Sequence, residues 1–222
     1  LKTQNKSFLY KNSLSIVFFL LFFISIAGQA VTGWHQYLEF LQEHDQPPVS
    51  LLRYLGTGHF IQSTFENWES EFFQMGLLVW FTVFLRQIGS SESKKLSGEE
   101  EEVDREPKPH PKAPWPVKKG GLILQLYKHS LTISLFTLFL LSFLLHWYGS
   151  NKDYNETQLL EGKPTETMLA YLSNSRLWYE SFQNWQSEFL SVFAIVALSI
   201  YLREFGSPQS KPVDAPHMET GE

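Results

Sequence analysis

The chain holds 222 residues, 43% of them hydrophobic, with no cysteine and a formal net charge of −5. This length bounds it to one or two domains. The absence of cysteine excludes disulfides, thiolate catalysis and cysteine-based metal sites, and an acidic balance without a basic aromatic face argues against a nucleic-acid partner.

Residues 1–11 form a short N-terminal segment carrying Lys2, Lys6 and Lys11. No charged residue follows between 12 and 34, a run long enough to cross a bilayer, which takes about 20 apolar residues. The spacing predicts a first span over 13–33. Beyond it, Leu51, Leu52, Tyr54 and Leu55 follow the Pro47-Pro48 turn and suit a short amphipathic helix on the outer interface. Glycines 56 and 58 would break that helix, and a second helix starts near His59. It carries the string FENWESEF (65–72) and runs into a 14-residue apolar stretch ending at Leu85-Arg86. Fourteen helical residues reach only about 21 Å at 1.5 Å per residue, short of the roughly 30 Å hydrocarbon core. The span is therefore expected to begin earlier, over 68–87, with Trp68 at the outer interface and Arg86 reaching the inner headgroups. Residues 96–128 are charged, rich in proline and without helical or strand period, as expected of a disordered cytoplasmic linker.

The remainder repeats what came before. Aligned at a constant offset of 117, residues 12–95 and 129–212 are identical at 26 of 84 positions, roughly four times the rate expected from usual residue frequencies. FENWESEF returns as FQNWQSEF (182–189), and LRQIGSSESK (85–94) as LREFGSPQSK (202–211). The repeats are therefore 12–95 and 129–212, the second with spans over 130–150 and 185–204, followed by a disordered tail at 213–222. Recurrence of the first apolar run inside the chain favours a span over a cleaved signal peptide. Two crossings per repeat make the units parallel. With both termini cytoplasmic, 14 of the 18 Lys and Arg fall inside and four, Arg53, Lys152, Lys163 and Arg176, fall outside, in line with the positive-inside rule. The expected fold is an all-α integral membrane protein of four transmembrane helices in two parallel two-helix repeats, with short amphipathic helices in the outer loops.

On a helix, Asn67 and Glu71 share one face, as do Asn184 and Glu188 in the copy. Gln29 and His146 are equivalent positions near the outer ends of the long spans. Gln29, Asn67, Glu71, His146, Asn184 and Glu188 are the candidate polar cluster, because ionisable groups within a span are costly and functional by default. Glu66 and Glu69 become Gln183 and Gln186, which reads as charge the unit can spare. Trp68, Arg86, Trp185 and Arg203 are the expected interfacial anchors. No histidine recurs between repeats, which argues against paired haem ligation. No HExxH, GxSxG or Walker-type glycine-rich loop occurs, so neither cofactor, nor metal, nor enzymatic activity is expected.

The paired Asn-Trp-x-Ser-Glu-Phe strings, LRQIGSSESKK, PWPVKKGG (114–121) and SPQSKPVDAPH (207–217) resemble an uncharacterised bacterial family of multi-pass membrane proteins, a domain of unknown function. The resemblance covers nearly the whole chain and implies a membrane location without an activity; the expected location is the bacterial inner membrane. The expected role is structural or interactive, with the lipid bilayer as partner and a protein partner or homo-oligomer. The alternative is a small proton or cation transporter using the polar cluster.

Overall fold

A computed structural model describes residues 7–96 and 102–221. Lys2, Lys6 and residues 99–101 of the acidic run lie outside the described residues. The described residues form helices and no strand: α1 (Phe8–Lys11), α2 (Ser13–Glu43), α3 (Leu51–Tyr54), α4 (Gly58–Phe81), α5 (Trp115–Lys119), α6 (Gly121–Lys128), α7 (Ser130–Leu160), α8 (Met168–Tyr171) and α9 (Ser175–Tyr201).

The repeat is written into the helix boundaries. α2 and α7 begin and end 117 positions apart, as do α3 and α8, and α4 and α9 start at that offset. The caps correspond too. α2 closes with Asp45 at φ 54° and α7 with Gly162 at φ 69°. In both, the following N–H returns to an earlier carbonyl, Gln46 to Leu41 and Lys163 to Gln158, each at 2.8 Å. This is a left-handed helix stop, reached once with an Asp and once with a Gly. Ser50 and Thr167 cap α3 and α8 by accepting the Arg53 and Ala170 N–H groups, each at 3.3 Å.

The described chain divides into two compact units, residues 1–63 with 147–171, and residues 64–146 with 172–222. In the first, the expected span does not stop at residue 33. α2 continues ten residues to Glu43, and its far end packs Tyr37 and Leu41 against Tyr54, with Trp34, Phe40, Val49, Leu51 and Phe60 around them. Trp34 Nε1 donates to the Val49 carbonyl at 2.8 Å, and its counterpart Asn151 donates to the Glu166 carbonyl at 3.2 Å. The short helices α3 and α8 exist as single turns, yet Tyr54 and Tyr171 are buried in protein rather than laid on a bilayer surface. Their hydroxyls find partners: Tyr171 meets Ser150 Oγ at 2.8 Å, and Tyr54 meets His59 Nδ1 at 3.0 Å. The Tyr37 phenol bonds the Glu156 carboxylate.

In the second unit, Phe73 of α4 gathers three helices. Its ring lies 4.8 Å from Phe139 of α7 and 4.9 and 5.9 Å from Trp185 and Phe189 of α9. Below this level both LRxxGSxxSK strings fold alike. Ser93 Oγ accepts the Gln87 N–H and Ser210 Oγ the Glu204 N–H, at 2.8 and 2.9 Å. Gly89 and Gly206 take φ of 82° and 84°, a conformation that glycine adopts without strain.

The structure differs from the sequence expectation in the linker and the tail. Residues 96–128 contain α5 and α6, and Lys94 pairs with Asp104. The tail is held by polar contacts that leave no hydrophobic period: Lys211 Nζ donates to the carbonyls of Pro216, His217 and Glu219 at 3.2, 2.8 and 2.8 Å. Thr220 Oγ1 accepts the Gly89 N–H at 2.9 Å.

By length and composition, α2 and α7 are apolar enough to cross a membrane, with mean hydropathies of 2.4 and 1.8 over their most apolar 18 residues. In α2 none of that window is buried. No other helix among the described residues meets that test, so four spans are not shown by it.

The start of α4 and the end of α7 touch backbone to backbone at two glycines, as small residues permit. A Cβ on Gly149 would lie 2.5 Å from the Gln62 nitrogen, whereas one on Gly28 would meet nothing within 4 Å. Gly149→Ala is expected to lower stability by about 1–3 kcal/mol through overpacking. Gly28→Ala should leave it unchanged or raise it by up to about 1 kcal/mol through helix propensity. Thermal unfolding of both variants in detergent checks the pair; equal melting temperatures would refute the close crossing.

Candidate functional site

α4, α7 and α9 each contribute an ionisable side chain to one buried point in the second unit. His146 of α7 is fully buried. Its Nδ1 lies 2.6 Å from Oε2 of Glu69 on α4, and its Nε2 lies 3.1 Å from Oε2 of Glu180 on α9. Glu69 is also fully buried, and its other oxygen accepts the Trp185 indole N–H at 3.0 Å. The second oxygen of Glu180 accepts Arg176 Nε at 2.8 Å, one turn back along α9. The result is a continuous hydrogen-bonded chain, Arg176–Glu180–His146–Glu69–Trp185, drawn from three helices.

Its chemistry follows from what each group can offer. An ionised carboxylate only accepts hydrogen bonds, and an imidazole nitrogen facing it must carry a proton or share a cation with it. Both nitrogens of His146 face carboxylates, so the protonated ring donates on both sides. The chain then holds two anions, Glu69 and Glu180, and two cations, Arg176 and His146. Burying charge is costly unless it is paired and hydrogen-bonded, and this balance meets the requirement.

Of the six residues of the expected polar cluster, His146 alone enters this chain with its side chain. Asn184 stands beside it, half-buried, its amide donating to the backbone carbonyl of Glu180 at 3.0 Å. Gln29 belongs to the other unit, where it donates to Ser63 Oγ at 3.3 Å. Asn67 is exposed and uses its backbone carbonyl to accept the Ser70 hydroxyl at 2.8 Å. Glu71 and Glu188 face one another as carboxyls, the first exposed and the second half-buried.

The four expected anchors divide. Trp185 is the donor to Glu69, and Trp68 is half-buried, its ring centroid 5.0 Å from that of Phe65. Arg86 folds its Nη1 onto the carbonyls of Thr82, Val83 and Leu85 at 3.5, 3.2 and 2.9 Å. Arg203 does the same with Ser199, Ile200 and Leu202 at 3.1, 3.2 and 2.8 Å. These contacts satisfy carbonyls that a helix end leaves open.

Sequence reasoning missed Glu69, Glu180 and Arg176. The signal was present in the repeat and points the opposite way from the reading given above. His146, Glu180 and Glu69 stand where the other copy has Gln29, Ser63 and Gln186. The Gln29–Ser63 hydrogen bond is the neutral counterpart of His146–Glu180. Charge lost at one copy's position marks divergence between the copies rather than charge the chain can spare.

Residues 5–222 match the family model of a domain of unknown function, DUF6766, and the chain belongs to that family. No curated protein and no solved structure matches it.

Removing one partner of a buried ion pair leaves the other uncompensated and costs about 3–5 kcal/mol. Glu69→Ala should destabilise by that amount. Glu69→Gln, His146→Gln and Glu180→Ser combined, which gives each position the neutral side chain its counterpart carries in the other repeat, should cost less than Glu69→Ala alone. Chemical denaturation of the single and triple variants in detergent decides it, and additive losses would show that the chain does not act as a unit.

Proposed function

We propose that this is a four-pass membrane protein of a bacterial inner membrane, with both termini and the central linker cytoplasmic, and that it serves as a structural or interaction protein. The observation that carries the membrane reading is the outward face of the two shorter helices. Phe189, Leu190, Phe193, Leu198 and Tyr201 of α9 and Met75 and Trp80 of α4 are all at least 40% exposed. With the bare apolar face of α2, they make more exposed apolar surface than a water-soluble monomer carries. Lipid is the solvent that would cover it, and a helix needs no backbone partner there. Arg86, folded onto carbonyls just beyond α4, and Arg203, folded onto carbonyls at and just beyond the end of α9, suit the inner ends of such spans.

The closed charge balance of the Arg176–Trp185 chain supports a structural role, since every member has its partner inside the protein. A partner protein or further copies of the chain would then be held by the outer loops or the linker. Glu71 facing Glu188 supports a second reading, a narrow path for protons or small cations.

The absence of cysteine makes single-cysteine labelling clean. In the four-pass reading, Leu52→Cys and Leu169→Cys, both strongly exposed, react with an impermeant reagent from the outside of intact cells. Lys108→Cys and Met218→Cys react only after lysis. Labelling of residues 52 and 169 from opposite sides would end the parallel arrangement.

The two functional readings separate in reconstituted vesicles. As a structural protein the chain adds no proton or cation flux above that of empty vesicles. A flux that disappears in the Glu71→Gln/Glu188→Gln variant, with unfolding unchanged, would replace the structural reading by transport.

A further inference from the structure

We propose that Glu66, His146 and Glu180 form a site for one divalent first-row transition-metal ion, bound by His146 Nε2 and one oxygen of each carboxylate, with Glu69 orienting the ring. The three ligand atoms come from α4, α7 and α9 and lie within 4.8 Å of one another. Nε2 and Glu180 Oε2 are already 3.1 Å apart. Ligands at about 2.0–2.2 Å from a zinc-class ion stand roughly 3–3.5 Å from each other, so this pair sits at the separation two such ligands need. Glu66 is half-buried, and side-chain rotation closes the remaining distance.

The surroundings meet the other requirements of a metal centre. A ligating histidine usually donates its far N–H to a carboxylate, which fixes the tautomer and the ring plane. Glu69 accepts from His146 Nδ1 at 2.6 Å, and Trp185 holds that carboxylate in turn at 3.0 Å. Arg176 Nε donates to Oε1 of Glu180, and Oε2 is the oxygen that faces Nε2. Charge favours a dication. Glu66, Glu69 and Glu180 contribute three negative charges and Arg176 one positive. A proton on Nε2 leaves this group one charge short of neutrality, and a divalent ion in its place completes it. One imidazole with two carboxylates suits zinc, iron or manganese rather than a soft monovalent ion. Metal-binding sequence motifs such as HExxH place their ligands within one helix, a pattern to which a site assembled from three helices does not conform. The inference goes beyond the structural role proposed above and does not depend on how many helices cross the membrane.

The test uses the full chain purified in detergent, stripped with a chelator and dialysed against Zn²⁺ alone, with bound zinc counted by elemental analysis and melting followed in parallel. The expected result is one equivalent retained per chain and a raised melting temperature. Glu66→Gln removes one ligand's charge while His146, Glu69 and Glu180 keep their side chains, and should weaken binding at least about tenfold. Glu69→Gln keeps all three ligands and should weaken it about 10–100-fold, the usual loss when an outer partner of a ligand is removed. His110→Gln, at an exposed linker position, should bind as the unaltered chain does. Failure of the unaltered chain to retain zinc overturns the proposal. So does an affinity unchanged by Glu66→Gln, or a loss confined to His110→Gln.

Discussion

An imidazole with a carboxylate on each side cannot be taken apart piecemeal. In the second unit, three helices meet through His146, and each gives the ring or its partners something that the other two cannot supply. α4 brings Glu69, α7 the ring, and α9 Glu180 with Arg176 and Trp185. In an apolar setting the cost of an unpaired charge far exceeds the worth of one hydrogen bond. Register errors of any of the three helices would strand a charge, so the chain selects one packing out of the many that greasy helices allow. The stacking of Phe73 against Phe139 and Trp185 contributes area, but aromatic contacts tolerate sliding in a way that a 2.6 Å ion pair does not.

The two repeats divide labour along this line. What they share is terminal and geometric: the left-handed stops at Asp45 and Gly162, the caps at Ser50 and Thr167, and the Arg86 and Arg203 side chains folded onto backbone carbonyls of the turns that follow α4 and α9. These features begin and end helices, and a helix must be ended whatever its chemistry. What they do not share is charge in the middle. Gln29 and Ser63 answer His146 and Glu180 with a single neutral hydrogen bond at 3.3 Å. Duplication therefore supplied the scaffold twice, and the ionisable set draws on both copies, Glu69 from the first and His146, Glu180 and Arg176 from the second.

This explains which features could be read from the sequence. Helix existence and spacing were legible because the same string at an offset of 117 predicts the same element twice, and α2, α7, α3 and α8 obey it to the residue. His146 was legible as a histidine inside an uncharged run. Glu69 was not, because its counterpart Gln186 made its charge look expendable. Glu180 was not, because it stands just outside the matched string opposite an uncharged Ser63, and its partner His146 lies on another helix. The fold of the tail was illegible for another reason. Lys211 bonds three backbone carbonyls, and carbonyls are present at every residue, so nothing in the side-chain pattern announces them. The extension of α2 to Glu43 was hidden because the apolar run ends ten residues earlier, while the helix continues on a core of Tyr37, Leu41 and Tyr54.

A comparison between repeats thus carries two kinds of information that must be read in opposite senses. Identity at equivalent positions reports constraints common to both copies, such as the buried Tyr54 and Tyr171 and the Arg, Gly and Ser of the LRxxGSxxSK turns. Difference reports either drift or specialisation, and physical chemistry separates the two. Drift spreads over exposed positions and need not be spatially coherent. In the second unit the differences converge: three positions that are neutral in one repeat and ionisable in the other fall within one hydrogen-bonded chain, sealed from solvent at Glu69 and His146. Random substitution would bury such charges singly, and each alone would be expelled by its desolvation cost. Within one hydrogen-bonded chain each charge offsets the burial of the next, which makes the buried chain, rather than the repeated FENWESEF string, the part of this protein where chemistry is to be sought.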